Sequence, residues 1–248
     1  MTWNILIPIF LIAFSFFTAA ISAVTGMGGG IILLSVMTLF YPLNIVIPLH
    51  GFIQFISNLY RSYLLRSHIT WSLAIPFFMG APLGTFLSYL IIKMMPSPLY
   101  PQIIITFIIF YSVFRPKNLP SLNIPNWAFF FLGIIVGLFS LLIGATGPII
   151  APFFLRSDLK KENLIATKAA VQTMGHVLKI PAFIALSFPF ENYTWFIFFM
   201  TLFTILGTKW GIKILFKVNE TLFIKIFKIG LFLTGVRMTF KIIFEWNS

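Results

Sequence analysis

The chain contains no cysteine and only five acidic residues among 248. The first absence excludes disulfides, thiolate metal sites and cysteine chemistry. The second leaves few carboxylates for general acid–base work, and none falls within a long apolar run. Charged residues of either sign make up only 9% of the chain, against roughly 25% in soluble domains. No stretch outside the apolar runs is long enough for a soluble domain, and no cofactor motif occurs. What fills the space is apolar: 59% hydrophobic and 18% aromatic residues, with a mean hydropathy of +1.01. This is an all-α polytopic membrane protein, a single integral domain over residues 1–248. The +12 formal charge would suggest nucleic acid in a soluble chain. Here it fits cytoplasmic loops and anionic headgroups, so the partner is the lipid bilayer and not nucleic acid. The apolar N-terminus lacks a preceding basic residue and a small-residue cleavage site, so it is expected to remain as a membrane segment.

A membrane helix needs about 20 apolar residues. The uncharged run Ile5–Phe40 is too long for one span and is broken by Thr25-Gly-Met-Gly-Gly-Gly30. Two helices, about 5–25 and 30–40, are expected as a hairpin. The second is short, and both crossing and re-entrant forms stay open. Asn44–Leu65, Ile69–Met94 and Leu99–Phe114 follow as three crossings. The segment 115–126, rich in Pro and Asn, reads as a linker. It separates repeat 1, about 1–115, from repeat 2, about 127–248.

The repeat rests on an ungapped shift of 118 residues. That shift lays Ser22 on Ser140, Gly26 on Gly144, Gly29 on Gly147 and Gln54 on Gln172. With small register changes, Thr70-Trp71 matches Thr194-Trp195, and Leu83-Gly84-Thr85 matches Leu206-Gly207-Thr208. Repeat 2 should contain Trp127–Ile143, Pro148–Leu155, Leu164–Leu186, Tyr193–Phe216 and Thr221–Phe244. If each Gly break turns a hairpin, the halves are inverted. Ten loop basic residues, Arg61 and Arg66 among them, then share one face, against three (Lys93, Arg237, Lys241) on the other. If each break is only a kink, the division is six to seven and no bias remains. The positive-inside tendency favours inverted repeats with both termini outside.

Two constellations can carry function. The Gly turns, Thr25–Gly30 and Gly144-Ala-Thr-Gly-Pro148, each precede a helix N-terminus, where unpaired N–H groups and the helix dipole favour anions. The candidates there are Thr25, Gly28, Gly29, Gly30, Thr146 and Gly147. Glycine here can also serve only close helix packing. The second constellation is His50, Gln54 and Asn58, with Lys168, Gln172 and His176. Each set is spaced i, i+4, i+8, on one helix face, and the two sets coincide under the same shift. Intramembrane polar groups are costly and face cavities or partners, so the sets read as the lining of a pathway. With Lys168 cationic and no carboxylate nearby, the solute is a small anion. Snorkelling of Lys168 and hydrogen-bond glue from the glutamines are the structural alternatives. The loop Arg156–Glu162 carries mixed charge and could cap the next helix. Trp71 and Trp195 suit an interfacial belt.

Gly26-Met-Gly-Gly-Gly30, its weaker copy Gly144-Ala-Thr-Gly-Pro148-Ile-Ile-Ala-Pro152 and Ala166-Thr-Lys-Ala-Ala-Val-Gln-Thr173 resemble the TauE/SafE family of sulfite exporters, over essentially the whole chain. The resemblance implies a bacterial-type inner-membrane permease, not an enzyme, for sulfite, sulfoacetate or related anions. The second motif has Thr146 and Pro148 where the first has Gly28 and Gly30, so the halves should bind unequally. No mid-span carboxylate exists, so any coupling proton would use His50, His176 or the substrate. An anion channel, a non-transporting membrane assembly factor and an intramembrane enzyme stand as the other readings. The lack of a nucleophile–base arrangement weighs against the last.

Overall fold

The computed structural model describes residues 5–25, 28–94, 99–114, 124–154 and 158–214, with short helical pieces between 232 and 243. The side chains of Thr25 and Pro148 lie outside the described set, as do most of the linker 115–126 and most of the expected helix Thr221–Phe244. The described residues form helices joined by turns. In order these are α1 (Leu6–Thr25), α2 (Gly29–Met37), α3 (Leu43–Leu64), α4 (Trp71–Met94), α5 (Leu99–Phe114), α6 (Phe129–Ile143), α7 (Gly147–Phe154), α8 (Lys161–Val177), α9 (Lys179–Ala185) and α10 (Thr194–Ile214).

Among the described residues, four segments are long and apolar enough to cross a membrane: Leu6–Val24, Trp71–Met94, Asn126–Ile143 and Phe190–Lys213. Their outward faces carry bare Phe, Ile, Leu and Trp, including Phe17, Phe86, Phe131 and Phe198. A surface of that kind is stable against lipid, where apolar contact costs nothing. Helix α3 has 22 residues, long enough at 1.5 Å per residue to cross a core of about 30 Å. Its polar stripe lowers its hydropathy. Helices α2 and α7, with 9 and 8 residues, reach about 14 and 12 Å. At these described lengths each is shorter than a core of about 30 Å.

The expected single helix Leu164–Leu186 is divided at Leu178 into α8 and α9. Pro181 explains the division, because it has no N–H to give to Val177, four residues earlier. Lys160 is the N-cap of α8, and its own side chain makes no cap bond.

Glycine sets how closely the helices approach. Along α4, a Cβ on Gly80 would stand 1.9 Å from the Phe130 carbonyl oxygen of α6, and one on Gly84 would stand 1.9 Å from that of Ile134. Along α10, a Cβ on Gly207 would stand 2.1 Å from the Phe16 oxygen of α1, and one on Gly211 would stand 2.4 Å from that of Ala20. Both pairs rise together in sequence, so α4 runs parallel to α6, and α10 to α1. The two contacts also correspond: Gly84 and Gly207 are repeat partners, as are Ile134 and Phe16. Between these pairs, α3 crosses α8 and α9. Gly51 lies against Lys179, and the Ser62 hydroxyl is 3.4 Å from that of Thr173. One sequence rises as the other falls, so the crossing is antiparallel.

Candidate functional site

The first Gly turn is shaped by Gly28, which precedes α2 with φ 95°. The second is shaped by Gly144, which ends α6 with φ 69°. Both values lie in the region open chiefly to glycine. After the first turn, α2 offers the N–H groups of a helix start. After the second, α7 offers fewer. Pro148 has no N–H, and Ile149 N–H is taken by the Thr146 carbonyl at 3.1 Å. Gly147 therefore carries the donor of that turn, which makes the halves unequal as their sequences imply. Gly29 also has a packing role. A Cβ there would stand 1.8 Å from the Thr18 carbonyl oxygen of α1.

Each turn meets the glutamine of its own half. A Cβ on Gly30 would lie 3.2 Å from Gln54 Oε1, and one on Gly147 would lie 3.3 Å from Gln172 Nε2. His50 donates its Nε2–H to the Gly30 carbonyl at 2.8 Å, which leaves Nδ1 as the bare nitrogen of the neutral ring. His50 and His176 meet edge to face, ring centres 5.9 Å apart. Both Nδ1 atoms are buried without a hydrogen-bond partner. Asn58 turns back, donating Nδ2 to the Gln54 carbonyl at 2.9 Å. Leu34 of α2 lies against Gly144, so the short helix after the first turn touches the second turn. Thr146 is buried in that turn and Lys168 is fully buried on α8.

Two residues of the site escape the i, i+4, i+8 pattern. Lys179 is 1% exposed, runs past Gly51, and donates Nζ to the Gly144 carbonyl. Arg61, counted from sequence as a loop cation, sits in the last turn of α3 at 1% exposure. Its guanidinium reaches Asn58 Oδ1 and Ser57 Oγ, both at 3.4 Å, and its Nε is buried without a partner. The signal was present: 61 and 179 each extend their stripe by three residues, and the same shift of 118 relates them. Three cations, Arg61, Lys168 and Lys179, are thus buried on α3, α8 and α9. No Asp or Glu lies on α3 or α9, and the only one on α8 is Glu162, in its first turn.

A helical bundle with buried polar faces, sheathed by apolar side chains, defines a polytopic membrane protein. The family comparison agrees. Residues 11–238 match the family model Sulfite exporter TauE/SafE, and the chain belongs to that family, one of membrane transporters of the sulfite-exporter type. No curated protein and no solved structure matches the chain.

Proposed function

We propose that the chain is a secondary transporter that moves a small anion, a sulfur oxyanion or an organosulfonate such as sulfite or sulfoacetate, by alternating access. The observation that carries this reading is the pair of buried cations Arg61 and Lys179 on polar helix faces, whose hydrogen-bond acceptors among the described residues are neutral. Such charges are costly in a membrane interior, and an anion passing through would offset that cost. The N–H groups of Gly28–Gly30 and of Gly147 act as anion ligands, with Thr25 and Thr146 assisting. Lys168 supplies attraction, Gln54 and Gln172 orient the solute, and Asn58 holds the first stripe in place. The His50–His176 pair is the titratable gate and the route for a coupling proton. The two halves act as inverted repeats within one domain, with both termini outside a bacterial-type inner membrane. The corresponding α4·α6 and α1·α10 contacts and the antiparallel α3·α8 crossing support that arrangement.

A thermal-shift series on purified protein tests the anion class, because a ligand that binds only the folded state raises its apparent stability. Sulfite, sulfate, thiosulfate, sulfoacetate and simple carboxylates would be compared. We expect a saturable rise for at least one sulfur anion and none for sodium or potassium chloride. No rise with any of them would refute the reading.

A further inference from the structure

Gly175 differs from the other glycines packed in this bundle. It is buried within α8, yet, its own helix backbone and chain neighbours aside, a Cβ added there would meet no atom of the described residues within 4 Å. Among the described residues the interior is open at this point. Lys168, Gln172 and Gly175 follow the spacing i, i+4, i+7 within α8, which places them along one face. The open space therefore lies on the face of Lys168 and Gln172, with Lys179 four residues further on, at the start of α9. An ammonium has three N–H donors, and the Gly144 carbonyl occupies one of those of Lys179. The neighbouring His176 is 3% exposed and its Nδ1 has no partner. No Asp or Glu occurs between Asn163 and Phe190 to compete for these donors.

The equivalent place in the first half is filled. The shift of 118 lays Gly175 on Ser57, whose buried hydroxyl is already engaged by Arg61. We infer that the open space beside Gly175 is the seat of the transported anion, and that the molecule has one such seat, in its second half, and not two related ones. The inference rests on the transport reading above and adds to it where the solute sits. Gln172 and Lys179 bind the oxyanion there, and the missing side chain at 175 makes room for it. Arg61, its hydrogen bonds made to Asn58 and Ser57, serves the opposite end of the crossing.

The test compares wild type, Gly175→Ala and Gly175→Leu, purified and reconstituted in liposomes, with uptake measured for the same panel of anions. Alanine adds one methyl into open space and is a better helix former than glycine. Gly175→Ala should therefore melt no lower than wild type while its uptake falls several-fold. Gly175→Leu should lose uptake by more than tenfold. Wild-type uptake in both variants would overturn the seat and leave the transport reading standing, as would a sharp drop in the melting temperature of Gly175→Ala. A wild type that takes up none of the anions would overturn both.

Discussion

Among the described residues no carboxylate is seen against the buried lysine of α9, and its ammonium lies on the carbonyl of a glycine turn. Lys179→Met keeps the length of the side chain and removes the charge. It leaves the buried Gly144 carbonyl without its donor, which costs about 1–3 kcal/mol. It also removes the larger cost of holding a cation away from water, an exchange that is often neutral or stabilising. We expect the melting temperature of Lys179→Met to move little while anion uptake falls more than tenfold. A large drop in melting temperature with residual uptake in proportion to folded protein would assign Lys179 to structure alone. The residues of the site were legible in the sequence where their spacing was regular. His50 and His176 meet, Gln54 and Gln172 lie against the Gly turns, and Lys168 is buried on α8. Lys179 and Arg61 were harder to read, because a basic residue near a helix end looks the same in sequence whether it reaches for headgroups or is folded inward. Only their shared repeat position marked them, and that mark gains meaning once α3 and α8 are known to cross. Gly175 could not be read at all, since the space beside a glycine depends on what surrounds it.

Helix pairing in this bundle depends on carbonyl groups lying against glycine. In lipid there is little hydrophobic drive to join helices, so close van der Waals approach decides which pairs form. Gly207 sits where any side chain would strike the Phe16 carbonyl of α1. Gly207→Leu must push α10 away from α1, at a cost of about 1–3 kcal/mol or more. The same should hold for Gly84→Leu at the α4·α6 contact, with a similar loss, because the two contacts correspond. Urea or thermal melts in detergent would show it. Unequal losses, one large and one negligible, would argue that the correspondence has no energetic counterpart. At this scale the sequence was informative about which helices exist, because apolar runs and Gly–Pro breaks bound them. It misplaced one boundary, at Leu178. Pro181 alone did not mark that break, since Pro48, Pro76 and Pro82 lie within α3 and α4 without dividing them. Whether a proline kinks or splits a helix depends on the neighbours that take up the freed carbonyl.

For the molecule as a whole, the direction in which each half runs determines whether the site can open to both sides. The lack of cysteine makes this measurable, because a single introduced thiol is the only one present. Ser67 and Lys93 are both exposed, at opposite ends of α4. In intact cells, Lys93→Cys should react with a membrane-impermeant maleimide and Ser67→Cys should react only after lysis. Labelling of both from the same side would contradict α4 as a crossing, and the reverse pattern would contradict termini on the outside. The proposed plan of two halves is read from the shift of 118, which needs no gap from Ser22 to Gln54. The length of α2 and α7 was not readable, because a short apolar run fits a crossing strand of helix as well as a re-entrant one until its ends are placed. The central claim is that a small anion passes along the faces of α3, α8 and α9. Its most direct test is sulfite or sulfoacetate counterflow in liposomes containing wild type, Lys168→Ala or Gln172→Ala. The account predicts saturable, trans-stimulated uptake by wild type and a loss of more than tenfold in each variant at unchanged folding. Uptake that is the same in all three proteins would contradict it.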